Sequence, residues 1–177
     1  QIHPGFKDGY FYSPAGVYDS VNSRTIMLNK LYFLLTYIPV ETVLTRIGIE
    51  IFSSSGTRAR LGIYRNNEFK GKPEELELDA GEMDISIGGR KEISINYNIR
   101  PGWYWLSCIF DGDTSIRSRD NPVYNYNLTG TPNILAGGFQ SSIDMPYSAL
   151  PPVVDIENVA DDFSSGDIVF IWFRKGI

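Results

Sequence analysis

Cysteine, histidine and methionine are scarce in this sequence. Its 177 residues include one cysteine, Cys108, and one histidine, His3. One cysteine excludes an internal disulfide, and one residue of each kind cannot build a zinc site of the usual type. His3 lies close to the N-terminus, a poor place for a positioned catalytic base. The sequence therefore predicts no Ser-His-Asp or Cys-His enzyme, no metal site and no cofactor.

Basic blocks and long apolar runs are missing as well. The formal net charge is −5, which argues against general binding to a phosphate backbone. The most apolar stretch, "LYFLLTYIPV" at residues 31–40, is shorter than the roughly 18–20 residues that span a bilayer. We therefore expect no nucleic-acid partner and no membrane insertion. The chain begins at Gln1 rather than methionine, so we expect it to be part of a longer protein.

The sequence instead has apolar residues at alternate positions, which is the period of a β-strand. Turn signals separate these runs at intervals of roughly 8–12 residues, and about nine or ten short strands can be counted. The Gly-Gly pair at residues 88–89 is of the kind that hairpins favour. We predict a single all-β domain over residues 1–177, an antiparallel β-sandwich of the jelly-roll type. The clearest core positions are Ile47, Ile49, Ile51, Ala59, Leu61, Ile63, Ile93, Ile95 and Tyr97.

Three successive aromatic residues at positions 103–105 follow a Pro-Gly pair. They either form an exposed surface that binds a ligand or belong to the buried core. Apolar side chains continue on both faces of this stretch as far as Phe110, which is typical of a strand covered on both sides. The pattern favours burial of both Trp103 and Trp105.

Candidate binding residues lie in the less regular second half of the chain. Tyr124, Tyr126 and Tyr147 could stack on sugar rings, while carboxylates such as Asp111 and Asp113 hydrogen-bond the hydroxyl groups. The alternative is that the tyrosines pack against the sandwich or a neighbouring subunit. The acidic loop at residues 111–113 could also hold Ca²⁺ with backbone carbonyls, but it lacks the EF-hand pattern and acidic turns are common on surfaces.

The run from residue 60 to residue 112 resembles a pattern in structural proteins of double-stranded DNA phages, especially tail fibres and related virion proteins. Its elements are "RLGIY", "GKP", "LELDAG", "GRKEISI" and "PGWYWL", and "YFYSPAG" and "LTRIGIEI" upstream also fit. The resemblance implies no catalytic residue. It implies turn and close-approach roles for Gly62, Gly71, Pro73, Gly81, Gly89, Pro101 and Gly102.

The resemblance also implies a function. We expect a non-enzymatic virion protein, assembled in the host cytoplasm, that serves as the receptor-binding or tip domain of a tail fibre. It would attach to a host cell-surface glycan or protein, contact other virion proteins and form a homotrimer. The alternative is a capsid-decorating or fibre-connecting domain. A glycan-degrading enzyme is less favoured, because phage depolymerases usually carry much larger solenoid domains.

Overall fold

A computed structural model of the chain describes residues 6–12, 21–119, 140–161 and 168–176. Within these ranges every regular element is a β-strand, as predicted, and no helix there is long and apolar enough to cross a membrane. The strands are β1 (Phe11–Tyr12), β2 (Val21–Ile26), β3 (Lys30–Ile38), β4 (Thr42–Ser54), β5 (Arg58–Asn67), β6 (Lys72–Asp84), β7 (Gly89–Ile99), β8 (Gly102–Phe110), β9 (Thr114–Arg119), β10 (Gln140–Asp144), β11 (Ala160–Asp161), β12 (Ile168–Val169) and β13 (Trp172–Lys175).

Strands β2 to β9 form two antiparallel sheets in jelly-roll order. One sheet runs β2-β9-β4-β7 and the other runs β3-β8-β5-β6. Strands β1, β12 and β13 extend the first sheet, and β10 and β11 extend the second. Between consecutive strands of this set, only the β5–β6 connection stays within a sheet. The fold is therefore an antiparallel β-sandwich of the predicted type.

The Gly-Gly pair at residues 88–89 does not form the expected hairpin. Strand β6 pairs with β5 and strand β7 pairs with β4, so the chain crosses between the two sheets here. Gly89 has a φ of 108°, a conformation that glycine adopts at little cost. The glycine signal marked a real turn, but the strands on its two sides belong to different sheets.

The core between the sheets contains most of the side chains that the alternation assigned to it. Ile47, Ile49 and Ile51 are buried, as are the apolar residues predicted on β5. The predicted residues of β7 alternate correctly but are only partly buried, because β7 lies at the edge of its sheet and pairs on one side only.

A second apolar layer covers the outer face of the β3-β8-β5 sheet. The segment at residues 145–159 packs Leu150, Val154 and Val159 against this face. It is held by hydrogen bonds from Tyr64 Oη to the carbonyl of Pro151 (2.9 Å) and from the Leu76 amide to the carbonyl of Pro152 (2.9 Å). This cover explains why β8 is apolar on both faces.

Gly62 fits the close-approach role that the phage resemblance implies. An added Cβ would lie 2.4 Å from Leu150 Cδ1 and 2.8 Å from the carbonyl oxygen of Leu78. A larger residue at this position would therefore push the covering segment away from the sheet.

Candidate functional site

An open cleft of about 570 Å³ lies at the end of the sandwich where β5 and β7 end and β8 begins. We call it the polar cleft. Both sheets contribute to it, because β6 and β7 are edge strands of opposite sheets and do not pair with each other. Its lining residues are Arg65, Asn66, Glu68, Glu77, Tyr97, Asn98, Arg100, Pro101, Gly102, Trp103 and Tyr104.

Trp103, at the edge of the polar cleft, is exposed, so the prediction that it is buried is wrong. Its exposed fraction is 38%, whereas Trp105 is fully buried as predicted. Both side chains project from the same face of β8, but only Trp105 belongs to the cluster that the segment at residues 145–159 covers. The buried Trp105 and the exposed Trp103 are therefore neighbours on one face of β8.

Trp103 forms an aromatic pair with Tyr37, its register partner on β3. The ring centroids are 4.8 Å apart with an interplanar angle of 40°, and Tyr37 is 45% exposed. We call this pair the aromatic platform. Two exposed rings side by side at the edge of a cleft offer an apolar contact surface next to hydrogen-bonding groups.

A hydrogen-bonded network fixes one wall of the polar cleft. Glu77 on β6 accepts hydrogen bonds from Arg65 Nε on β5 and from the Tyr97 hydroxyl on β7. Burial alone would raise the pKa of Glu77. The hydrogen bonds from Arg65 and Tyr97, together with the positive charges of Arg65 and Arg100, outweigh that effect and lower it.

Tyr97 responds in the opposite direction. Burial and the hydrogen bond to Glu77 raise the pKa of Tyr97 to about 12. At neutral pH the carboxylate is therefore ionised and the phenol is protonated. A carboxylate held in this way can accept hydrogen bonds but is poorly suited to donate a proton as a general acid.

The remaining polar groups of the cleft provide both donors and acceptors. Asn66 Oδ1 accepts a hydrogen bond from Trp105 Nε1 (2.8 Å), which fixes the orientation of the amide. The Arg100 guanidinium is exposed and forms no ion pair within the described parts of the chain. The two arginines and two glutamates that line the cleft carry equal and opposite charge. This arrangement suits a neutral, polar ligand rather than an ion.

Asp111 and Asp113, which the sequence suggested as binding residues, lie at the other end of the molecule. They follow the last residue of β8, whereas the cleft surrounds its first, and a strand of nine residues is roughly 25–30 Å long. Asp111 Oδ1 accepts hydrogen bonds from the amides of Thr57 and Arg58, both at 2.8 Å. Asp113 Oδ1 accepts one from the Leu28 amide, also at 2.8 Å.

Tyr147 and Asp111 both contact the guanidinium of Arg58. The Arg58 side chain donates to Asp111 Oδ2 (3.0 Å), and its Cζ lies 5.1 Å from the centre of the Tyr147 ring. The Tyr147 hydroxyl donates to Glu82 Oε2 (2.7 Å). The other two suggested tyrosines, Tyr124 and Tyr126, lie outside the described residues. Glycan contact by any of these residues stays a prediction.

The described residues contain no cluster of three or more side chains suited to hold a metal ion. Cys108 is buried, and burial raises the pKa of its thiol. A thiol in this state is protonated at neutral pH and is a poor nucleophile.

Comparison with known proteins gives fold-level similarity only. No protein-family model and no curated protein matches the chain. One similar solved structure is the clostridial cysteine protease Cwp84 after propeptide cleavage. It is 15% identical with a TM-score of 0.56, and the match covers 89% of this chain and 40% of that one.

A second similar structure contains the cysteine protease and lectin-like domains of Cwp84, a surface-layer-associated protein of Clostridium difficile. It is 13% identical with a TM-score of 0.55, and the match covers 88% of this chain and 36% of that one. This chain therefore spans well under half the length of either structure. At these identities the likeness concerns the fold alone.

Proposed function

We propose that this chain is a non-enzymatic glycan-binding module that binds a neutral sugar in the polar cleft and on the aromatic platform. The observation that carries the proposal is the exposed Tyr37–Trp103 pair at the edge of a cleft whose charges cancel. One face of a sugar ring presents C–H groups, which pack on an aromatic face, while its hydroxyl groups both donate and accept hydrogen bonds.

The hydrogen-bonded network around Glu77 in the polar cleft supports the same function. Glu77 and Tyr97 are fixed before any ligand arrives, so little conformational entropy is lost when a sugar binds. The lectin-like domain named for one similar structure agrees with this proposal. The protease part does not, because the described residues of this chain contain no histidine and their single cysteine is buried.

The biological setting of the proposal rests on the phage resemblance. In that setting the module is the receptor-binding or tip domain of a tail fibre, and it carries the virion to a glycan on the host cell surface. The second candidate is a capsid-decorating or fibre-connecting domain. Exposed apolar side chains near the cleft, Val40, Val43 and Phe69, favour it, because they could contact another virion protein.

We expect Trp103→Ala and Tyr37→Ala to weaken binding of a neutral oligosaccharide by about 30-fold each. Central aromatic contacts are often worth about 2 kcal/mol, and 1.4 kcal/mol corresponds to tenfold in affinity. The ligand would first be identified on an array of bacterial surface glycans and then titrated by calorimetry.

Tyr10→Ala is the matched control, because Tyr10 is also exposed (59%) but precedes β1 on the other sheet. Unchanged affinity in both platform variants would place the sugar elsewhere. Capture of a virion protein with no glycan bound would favour the connecting or decorating role. Release of reducing sugar that is abolished by Glu77→Gln would indicate an enzyme.

We further propose that the module is a homotrimer, as the phage resemblance implies. Equivalent clefts grouped at one end would gain avidity for a repetitive surface glycan without new contacts. Light scattering is expected to give about three times the 19.9 kDa of one chain. A monomer at micromolar concentration would contradict the trimer but not the cleft.

A further inference from the structure

We propose a second ligand site, a groove on the outer face of the other sheet that binds a sugar ring bearing a carboxylate, such as a uronic acid residue. We call it the Arg90 groove. It shares no residue with the polar cleft and does not depend on the function proposed for that cleft. Its lining residues are Phe11, Glu50, Arg90, Arg117, Phe170 and Trp172.

Aromatic side chains form much of the Arg90 groove. Trp172 is nearly fully buried, and Phe11 meets it edge-on with 5.7 Å between ring centroids. Phe170 lies at the same distance from Trp172 with a tilt of 45°. The cavity measures about 280 Å³, just below the roughly 300 Å³ at which pockets for drug-sized ligands begin. It therefore suits a single sugar ring rather than a longer chain.

The charges of the groove favour an anion. Three charged groups line it, and Arg117 is already paired with Glu50. Arg90 lies beside Glu50 in the strand register and 4.9 Å from the centre of the Phe11 ring, but it forms no ion pair within the described ranges. The net lining charge is thus +1, and the uncommitted cation is Arg90.

The neighbouring carboxylate of Glu92 has partners other than Arg90. Trp172 Nε1 donates to Glu92 Oε1 (3.1 Å), and Arg174 neutralises the same carboxylate at 3.2 Å. Arg174 Cζ, on the strand that pairs with β1, also lies 4.8 Å from the centre of the Phe11 ring. Phe11 is thus held by two guanidinium groups, and the hydrogen-bonding capacity of Arg90 is left for a ligand.

A ring with a carboxylate matches both features at once. A guanidinium binds a carboxylate through two parallel hydrogen bonds, and the exposed parts of Phe11 and Phe170 pack against the C–H face of the ring. A small anion such as acetate would use only the charge. A neutral sugar would use only the walls.

The three tryptophans allow each region to be followed separately. Trp103 lies at the polar cleft, Trp105 in the covered layer and Trp172 in the Arg90 groove. We expect sodium glucuronate to shift the indole NMR signal of Trp172 in a saturable way without moving that of Trp105. Glucose and acetate at equal concentration are expected to shift the Trp172 signal far less.

Arg90→Ala is expected to weaken glucuronate binding by about tenfold or more, since a hydrogen bond to a charged group contributes about 1.5–3 kcal/mol. Arg90→Lys keeps the charge but loses the paired geometry, so we expect an intermediate loss. Lys91→Ala is the matched control. It removes the same charge one residue along β7, where the register partner is the core residue Ile49 rather than Glu50.

Three results would overturn the proposal. One is that the Trp172 signal does not shift even at glucuronate concentrations well above 1 mM, since a dissociation constant of 1 mM corresponds to a binding free energy of only about −4 kcal/mol. Another is an equal response to acetate, which would indicate charge alone. The third is an equal loss in Lys91→Ala. An unchanged Trp105 signal verifies that each variant is folded. In a titration with a neutral sugar, the Trp103 signal reports binding at the polar cleft. The proposals for the groove and for the cleft are therefore tested independently.

Discussion

Trp105→Ala is expected to lower the free energy of unfolding by about 3–5 kcal/mol. Trp105 is fully buried and packs in the layer between the β3-β8-β5 sheet and the segment at residues 145–159. Truncation would leave a large cavity there. It would also leave Asn66 Oδ1 without the indole donor that it now binds at 2.8 Å, and the loss of this hydrogen bond adds to the cost.

Trp103→Ala provides the comparison, because the residue type, the strand and the strand face are the same. Trp103 is 38% exposed and its ring pairs with that of Tyr37, so we expect a loss of about 1 kcal/mol. Urea denaturation followed by circular dichroism would measure both. Since typical domains have only 5–15 kcal/mol of stability, Trp105→Phe serves as a milder variant if Trp105→Ala does not fold. Equal losses in the two alanine variants would contradict the assignment of one tryptophan to the core and the other to the platform.

The alternation of apolar residues predicted the strands and the inner core because burial on one face of a strand leaves a direct mark on the sequence. Ile47, Ile49 and Ile51 follow this rule, and all three are buried. The Gly-Gly pair at residues 88–89 and the Pro-Gly pair at residues 101–102 also mark connections between strands, as predicted. Local sequence does not contain the identity of the pairing partner, so the Gly-Gly pair at residues 88–89 predicts a hairpin although its turn joins strands of different sheets.

The outer layer could not be predicted for a related reason. Whether Trp103 or Trp105 is covered depends on Leu150, more than 40 residues further along the chain. The aromatic run and the preceding Pro-Gly turn did indicate a possible platform. The wall of the polar cleft was missed, because Arg65, Glu77 and Tyr97 meet only when three strands from two sheets come together. The alternation itself predicts Tyr97 as a core residue.

Asp111→Ala is expected to lower the free energy of unfolding by about 2–3 kcal/mol, with little effect on ligand binding at the polar cleft. The Asp111 carboxylate joins the β8–β9 turn to the β4–β5 turn at the end of the sandwich opposite the cleft. It accepts two backbone hydrogen bonds from Thr57 and Arg58 and one from the Arg58 side chain. Hydrogen bonds to a charged group contribute about 1.5–3 kcal/mol each when well shielded, and access of water to this turn reduces the sum.

The pH dependence separates this role from a simple loss of packing. Burial alone would raise the pKa of Asp111, but the hydrogen bonds from Arg58 and Thr57 and the charge of Arg58 outweigh it, so the pKa in the folded state is lowered. The stabilisation is therefore fully present above the unfolded-state value of about 3.9. It is lost as the pH falls through the lower folded-state pKa. We expect the difference in stability between the wild type and Asp111→Ala to be constant near neutral pH and to shrink below about pH 4.

Asp113→Ala is the matched control for charge, since Asp113 lies two residues away and, among the described residues, its side chain accepts one hydrogen bond, from the Leu28 amide. We expect it to cost about 1 kcal/mol. Urea denaturation of all three proteins at several pH values would measure these differences. If Asp111→Ala kept full stability but lost glycan binding, the carboxylate would belong to a binding surface after all. The sugar would then bind at this end of the sandwich, and the polar cleft would no longer be the leading site.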